Sequence, residues 1–89
     1  MVIEFDTAKD AVNRRNHQGL SLALAADFTD DALMVPTYPG TDAVRYKMID
    51  QTAHGLLTAI VTPRGSVVRV ISLRRANRHE ERTYGEAIR

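Results

Sequence analysis

Two apolar runs, Leu56–Thr62 and Val67–Leu73, flank the turn-forming stretch Pro63-Arg64-Gly65-Ser66. Branched residues bounded by turn formers predict two antiparallel strands of a hairpin. Val44–Gln51 alternates apolar and polar and predicts a third strand, which Thr52-Ala53-His54-Gly55 turns back into the hairpin. Ala32–Tyr38 is extended as well, but Pro36 cannot donate to a ladder, which places that segment at an edge. Tyr38–Asp42 reads as a turn. Upstream, Val2–Phe5 is a short strand candidate. Asp6 or Thr7 caps a helix over Ala8–Gln18 that puts Ala8, Ala11, Val12 and Arg15 on one face and ends at Gly19. Ser21 caps a shorter helix over Leu22–Phe28. After the last strand, Asn77 opens a C-terminal helix with Glu80 three residues on, the spacing of a capping box.

These elements predict a single α+β domain over residues 1–89: an antiparallel sheet of about four strands, two N-terminal helices and one C-terminal helix, with the helices on one face. Tight turns centred on Arg64-Gly65 and His54-Gly55 set a register. One face then collects Tyr46, Met48, Leu57, Ala59, Val61, Val68 and Val70, which the helices should cover. The other collects Arg45, Lys47, Gln51, Thr58, Thr62 and Arg69, with Ile49, Ile60 and Ile71 between them, and should be open and basic.

Composition changes this picture little. With 44% hydrophobic and 26% charged residues the chain is ordinary for a globular protein. The absence of cysteine excludes a disulfide framework, a thiolate nucleophile and a cysteine zinc site. No apolar run approaches the roughly 20 residues of a membrane span, and no signal peptide opens the chain, so a cytoplasmic location is expected.

Charge changes it more. The net +1 hides a segment, residues 64–82, with six arginines against Glu80 and Glu81. Ten of the twelve basic residues are Arg rather than Lys. The guanidinium fork matches phosphate and carboxylate oxygens. Such a segment serves either as a phosphate-binding face or as a solvated face paired with the acidic N-terminal third. The three histidines share no ligand spacing, so no metal is expected. His17 reads as a helix-end cap and His54 as a turn residue, and Ser72, on the apolar side, as a buried hydroxyl.

The motifs resemble those of a known family. Ile3-Glu4-Phe5-Asp6-Thr7-Ala8-Lys9 is similar to F-E-W-D-P-x-K. Asn13–Leu22 is similar to N-x-x-K-H-G-[VI]-S-[FL], with Gln18 inserted before the glycine. Thr62-Pro63-Arg64-Gly65 followed by Arg69-Val70-Ile71-Ser72-Leu73-Arg74-Arg75-Ala76 is similar to T-x-R-G and R-I-I-S-A-R-R-A. Together they resemble the BrnT toxins of bacterial type II toxin–antitoxin systems, small ribonucleases of RelE-like fold. The glutamates that the family often carries before the third-strand arginine are absent: here the segment is Ala43-Val44-Arg45-Tyr46.

The resemblance implies a metal-independent endoribonuclease without cofactor. Its partners would be RNA and a BrnA-like antitoxin in a two-plus-two complex, which reaches operator DNA through the antitoxin and involves no membrane. Metal-free cleavage uses the neighbouring 2′-hydroxyl as nucleophile, so it needs a proton acceptor, cations for the phosphorane and an acid for the leaving oxygen. The catalytic candidates are Arg45, Arg69, Arg74 and Arg75, which would grip the scissile phosphate, and His79 for proton transfer. Lys47, Arg64 and Arg78 would guide the flanking RNA backbone. The proton acceptor is unassigned. The alternative is a non-catalytic relative whose basic face docks an acidic protein or contributes to operator binding.

Overall fold

A computed structural model describes residues 1–37 and 44–88. The turn expected at Tyr38–Asp42 lies outside the described residues. Among those described, five strands form one sheet: β1 (Ile3–Glu4), β2 (Leu33–Pro36), β3 (Tyr46–Thr52), β4 (Gly55–Arg64) and β5 (Val67–Arg75), in spatial order β1-β5-β4-β3-β2. The meander β2–β5 is antiparallel as expected, with β2 at the edge. The sheet is nevertheless mixed, because β1 joins β5 in parallel through the pairs Ile3↔Val68 and Glu4↔Arg69.

Both hairpin loops have two residues. Thr52 pairs with Gly55 and Arg64 with Val67, so the loops are Ala53-His54 and Gly65-Ser66. Gly65 has φ +63°, the left-handed region that a side chain enters only at a cost. Each register differs from the expected one by an even step. Strand faces alternate with period two, so the expected grouping survives the difference. Leu57, Ala59, Val61, Val70 and Met48 line the core with Leu20, Leu22, Ala25 and Phe28.

One feature of β5 lay outside the expected alternation. Ile60 pairs with Ser72 while Val61 pairs with Val70, so Ile71 is an extra residue, a β-bulge. Beyond it the strand is out of phase with its first half. Leu73 turns into the core, fully buried, while Ser72, expected on the apolar side, comes opposite Ile60 and Arg74 opposite Thr58, both on the polar face. Without the bulge, Leu73 would share the polar face with Arg69.

Helix α1 (Thr7–Asn16) is capped by Asp6, whose carboxylate accepts from the N–H groups of Ala8 and Lys9. Its buried residues are not those expected. Ala8, Ala11 and Val12 are exposed, and Asp10 and Asn13 are buried. Asn13 explains the reversal. Its amide donates to the carbonyls of Leu73 at 2.8 Å and Leu20 at 2.9 Å, and its Oδ1 accepts from the Leu73 N–H at 3.1 Å. A side chain thus completes the outer edge of β5 as a paired strand would. Asp10 in turn accepts from the Leu22 N–H at 2.7 Å and the Ser21 hydroxyl at 3.0 Å. Burial pushes its carboxyl up, but these bonds and Arg14 outweigh that and hold it below the ordinary value.

The second N-terminal helix is a 3₁₀ turn, Leu22–Asp27, which puts Leu22 and Ala25 into the core. Helix α2 (Arg78–Ala87) starts at Asn77 with both bonds of the capping box. It does not share a face with the other helices. Glu80 reaches Thr58, Lys47 and Arg74 on the polar face, so α2 covers one end of the surface expected to be open.

Candidate active site on the strand face

The polar face has two ends, and α2 divides them. At the covered end Glu80, with its side chain 1% exposed, accepts from both Arg74 nitrogens at 2.7 and 2.8 Å. Lys47 Nζ lies 2.9 Å from its other side and the Thr58 hydroxyl donates at 2.9 Å. The Asn77 N–H completes the set. Burial alone would push the Glu80 carboxyl up; Arg74, the Asn77 N–H, Lys47 and Thr58 together pull it far below the ordinary carboxylate range. Glu80 in return favours the charged form of Arg74. The expectation that Arg74 and Lys47 stand free for phosphate does not hold, because one buried carboxylate engages both.

At the open end, β1, β4 and β5 meet. Glu4 is registered beside Arg69, and Arg69 is paired with Thr62. Glu4 Oε1 lies 3.4 Å from Arg64 Nη1 and 3.8 Å from Arg69 Nη1. All three side chains are solvent-accessible, and both contacts are long for charge-assisted bonds. The Thr62 hydroxyl is buried and has no hydrogen-bond partner among the described residues. Arg45, exposed, lies one residue beyond the pair Tyr46↔Val61, at this same end. Asp6, just after β1, is held below its ordinary value by the Lys9 and Ala8 N–H groups, with a smaller contribution from Arg69.

The remaining candidates lie elsewhere. Arg75 donates from Nε to Gln18 at 2.9 Å and from Nη1 to the His54 carbonyl at 2.8 Å, tying α1's C-terminal loop to the β3–β4 loop. Gly55 admits this close approach, since a Cβ there would lie 3.3 Å from Arg75 Nη1. Arg78 and His79 are exposed on the first turn of α2. The structure therefore gathers Arg45, Arg64 and Arg69 at one place, Lys47 and Arg74 at a second, and Arg75 at a third.

Two features escaped the sequence reading. In the sequence Glu4 is one acid of the N-terminal third, and nothing local shows that β1 docks beside Arg69. A cleft of about 340 Å³ between α1 and β5, lined by Lys9, Val12, Asn13, Asn16, His17, Ile71 and Ser72, depends on the bulge and the Asn13 bridge. His17 caps α1 with its backbone N–H, as expected, but also lines this cleft and a second one beside Arg74 and Arg75. Among the described residues, no group of three or more His, Cys, Asp or Glu is arranged to hold a metal. No described helix is long and apolar enough to cross a membrane.

The architecture is that of a small α+β domain with a mixed five-stranded sheet and arginines gathered at one end of its polar face. Residues 5–80 match the family described as "Ribonuclease toxin, BrnT, of type II toxin-antitoxin system", and the chain belongs to that family. The Brucella abortus ribonuclease toxin BrnT, solved as a crystal structure, is similar over 88% of this chain and 99% of its own, with 31% identity and a TM-score of 0.70. No curated protein matches the sequence.

Proposed function

We propose that this member of the family is an endoribonuclease that cleaves RNA without a metal ion, using the open end of the strand face. The observation that carries the reading is the convergence of Arg64 and Arg69 on one carboxylate beside Arg45. When the 2′-oxygen attacks phosphorus, negative charge accumulates on the non-bridging oxygens. Guanidinium groups held on strands meet that charge without reorganising. Arg69 is the central donor, and Arg64 and Arg45 flank it. Arg74 and Lys47 fix α2 against the sheet and border the site without holding the phosphate.

Purified protein should cleave single-stranded RNA in the presence of EDTA. Arg69→Ala should lower the rate by about a hundredfold or more, the loss typical for removal of one preorganised donor. Cleavage that requires a divalent ion, or that survives the substitution unchanged, would overturn this reading and favour a non-catalytic docking face.

The same surface is the natural contact for a BrnA-like antitoxin, because covering it silences cleavage and its charge attracts an acidic segment. The antitoxin's own dimerisation would then give the two-plus-two assembly and supply the operator-binding part. Arg69→Glu should weaken antitoxin binding at least tenfold by calorimetry. Wild-type affinity in that variant would place the antitoxin on another face.

A further inference from the structure

The reaction needs a group to take the 2′-hydroxyl proton, and arginine is a poor acceptor with a pKa above about 12. Among the described carboxylates, Glu81 and Glu86 lie on α2, and Asp27, Asp30 and Asp31 precede β2, before the pair Leu33↔Ile49 at the other end of the sheet from Arg64. Glu80 is saturated by five donors beneath α2. Asp6 is taken up in capping α1, with the Ala8 N–H at 2.7 Å. Asp10 and Asp50 are buried in bonds to backbone and hydroxyl groups. The histidines do not reach the open end either: His17 ends α1 in the clefts lined by Ile71, Ser72, Arg74 and Arg75. His54 is in the loop at the opposite end of β4 from Arg64, and His79 is on α2.

Glu4 differs from all of these. Its side chain is 41% exposed, and among the described residues its polar contacts are the long ones to Arg64 and Arg69, which come from β4 and β5. Loose exposed pairs of this kind contribute little to stability. They are also readily exchanged. A phosphate held by the two forks takes shorter, charge-assisted bonds, and the carboxylate it displaces stays next to the phosphate's own sugar.

Resting on the reading of this surface as the cleavage site, we infer that Glu4 is the catalytic base. Its carboxylate removes the 2′-hydroxyl proton as the 2′-oxygen bonds to phosphorus and the bond from phosphorus to the 5′-oxygen breaks. The departing 5′-oxygen takes a proton from water, and protonated Glu4 returns its proton to solvent. The products are a 2′,3′-cyclic phosphate and a 5′-hydroxyl, with protons balanced. The charged groups facing Glu4 are Arg64 and Arg69, with Asp6 two residues further along the chain.

The test compares Glu4→Gln and Glu4→Asp with wild type and Arg69→Ala under single-turnover conditions. Binding is measured separately with RNA carrying a 2′-deoxy sugar at the cut site. Glu4→Gln should lose about a hundredfold or more in rate, the usual range for a positioned base, while binding the uncleavable RNA at least as tightly. Glu4→Asp, which keeps a carboxylate, should retain part of the rate and the acid limb of the pH–rate profile that Glu4→Gln lacks. Wild-type cleavage by Glu4→Gln, or parallel loss of binding and cleavage, would reduce Glu4 to a spacer between arginines. Activity lost in Arg69→Ala but kept in Glu4→Gln would sink this inference alone; no cleavage by wild type would sink the ribonuclease reading with it.

Discussion

Glu80→Ala should be the most damaging single substitution on the polar face. It leaves Arg74 and Lys47 charged, partly buried and unpaired, and strands the Thr58 hydroxyl and the Asn77 N–H. Breaking one side of a buried ion pair costs about 3–5 kcal/mol. In a domain of this size each kcal/mol moves Tm by roughly 4–8 °C, so the melting temperature should fall on the order of 15 °C or more. Glu80→Gln keeps an acceptor for Thr58 and should fall between the two. Thermal melts followed by circular dichroism measure this. A Glu80→Ala variant melting within about 2 °C of wild type, equivalent to roughly a third of a kcal/mol, would show that α2 is held by something else.

The same contact sets a pH dependence. The folded protein holds Glu80's carboxyl far below its ordinary value of 4.5. The unfolded chain therefore binds the proton first, and stability rises with pH in that range. The contribution is complete above the ordinary carboxylate range and declines steadily as pH falls below about 4.5. Glu80→Gln should flatten that acid limb, and an unchanged acid profile would contradict the assignment.

Asn13→Ala should rank second. It removes three buried hydrogen bonds and leaves the Leu73 N–H and carbonyl without partners at the edge of β5. Each orphaned buried group costs about 1–3 kcal/mol, so the two at Leu73 give an expected loss of about 2–6 kcal/mol. Asn13→Leu fills the space without restoring the bonds and should do no better than partial rescue. Urea unfolding gives the magnitude, and amide exchange at Leu73 should accelerate selectively. Protection at Leu73 that persists in Asn13→Ala would mean a neighbouring strand or water replaces the bridge.

These two residues mark the limit of what was legible in the sequence. The hairpin strands and the Asn77–Glu80 cap are local patterns, and both are found where the sequence predicts them. Glu80's second role is not local: its carboxylate completes a cap and anchors two strands, and only the docking of α2 on the polar face reveals this. On α1, periodicity favoured Ala8, Ala11 and Val12 as the inner face. Asp10 and Asn13 won because backbone groups outside the helix needed partners, an energy that hydrophobic spacing does not record. The bulge at Ile71 likewise leaves no signature in composition, yet it decides that Arg74, and not Leu73, joins the polar face. At the open end the arginines were visible as chemistry, while the arrival of Glu4 depends on a parallel strand of two residues.

That short strand also bears on how the protein assembles. Sixty residues separate Glu4 from Arg64, and sixty separate Asn13 from Leu73. Closing a loop of that length costs roughly 4 kcal/mol in chain entropy, more than one two-residue strand recovers by itself. Since β1 and α1 adjoin in sequence and dock on the same edge of β5, one closure serves both. The N-terminal sixteen residues therefore behave as a single clasp. Whatever loosens its buried amide at Asn13 also raises the fraction of molecules in which Glu4 has left Arg64 and Arg69, some distance from the substitution.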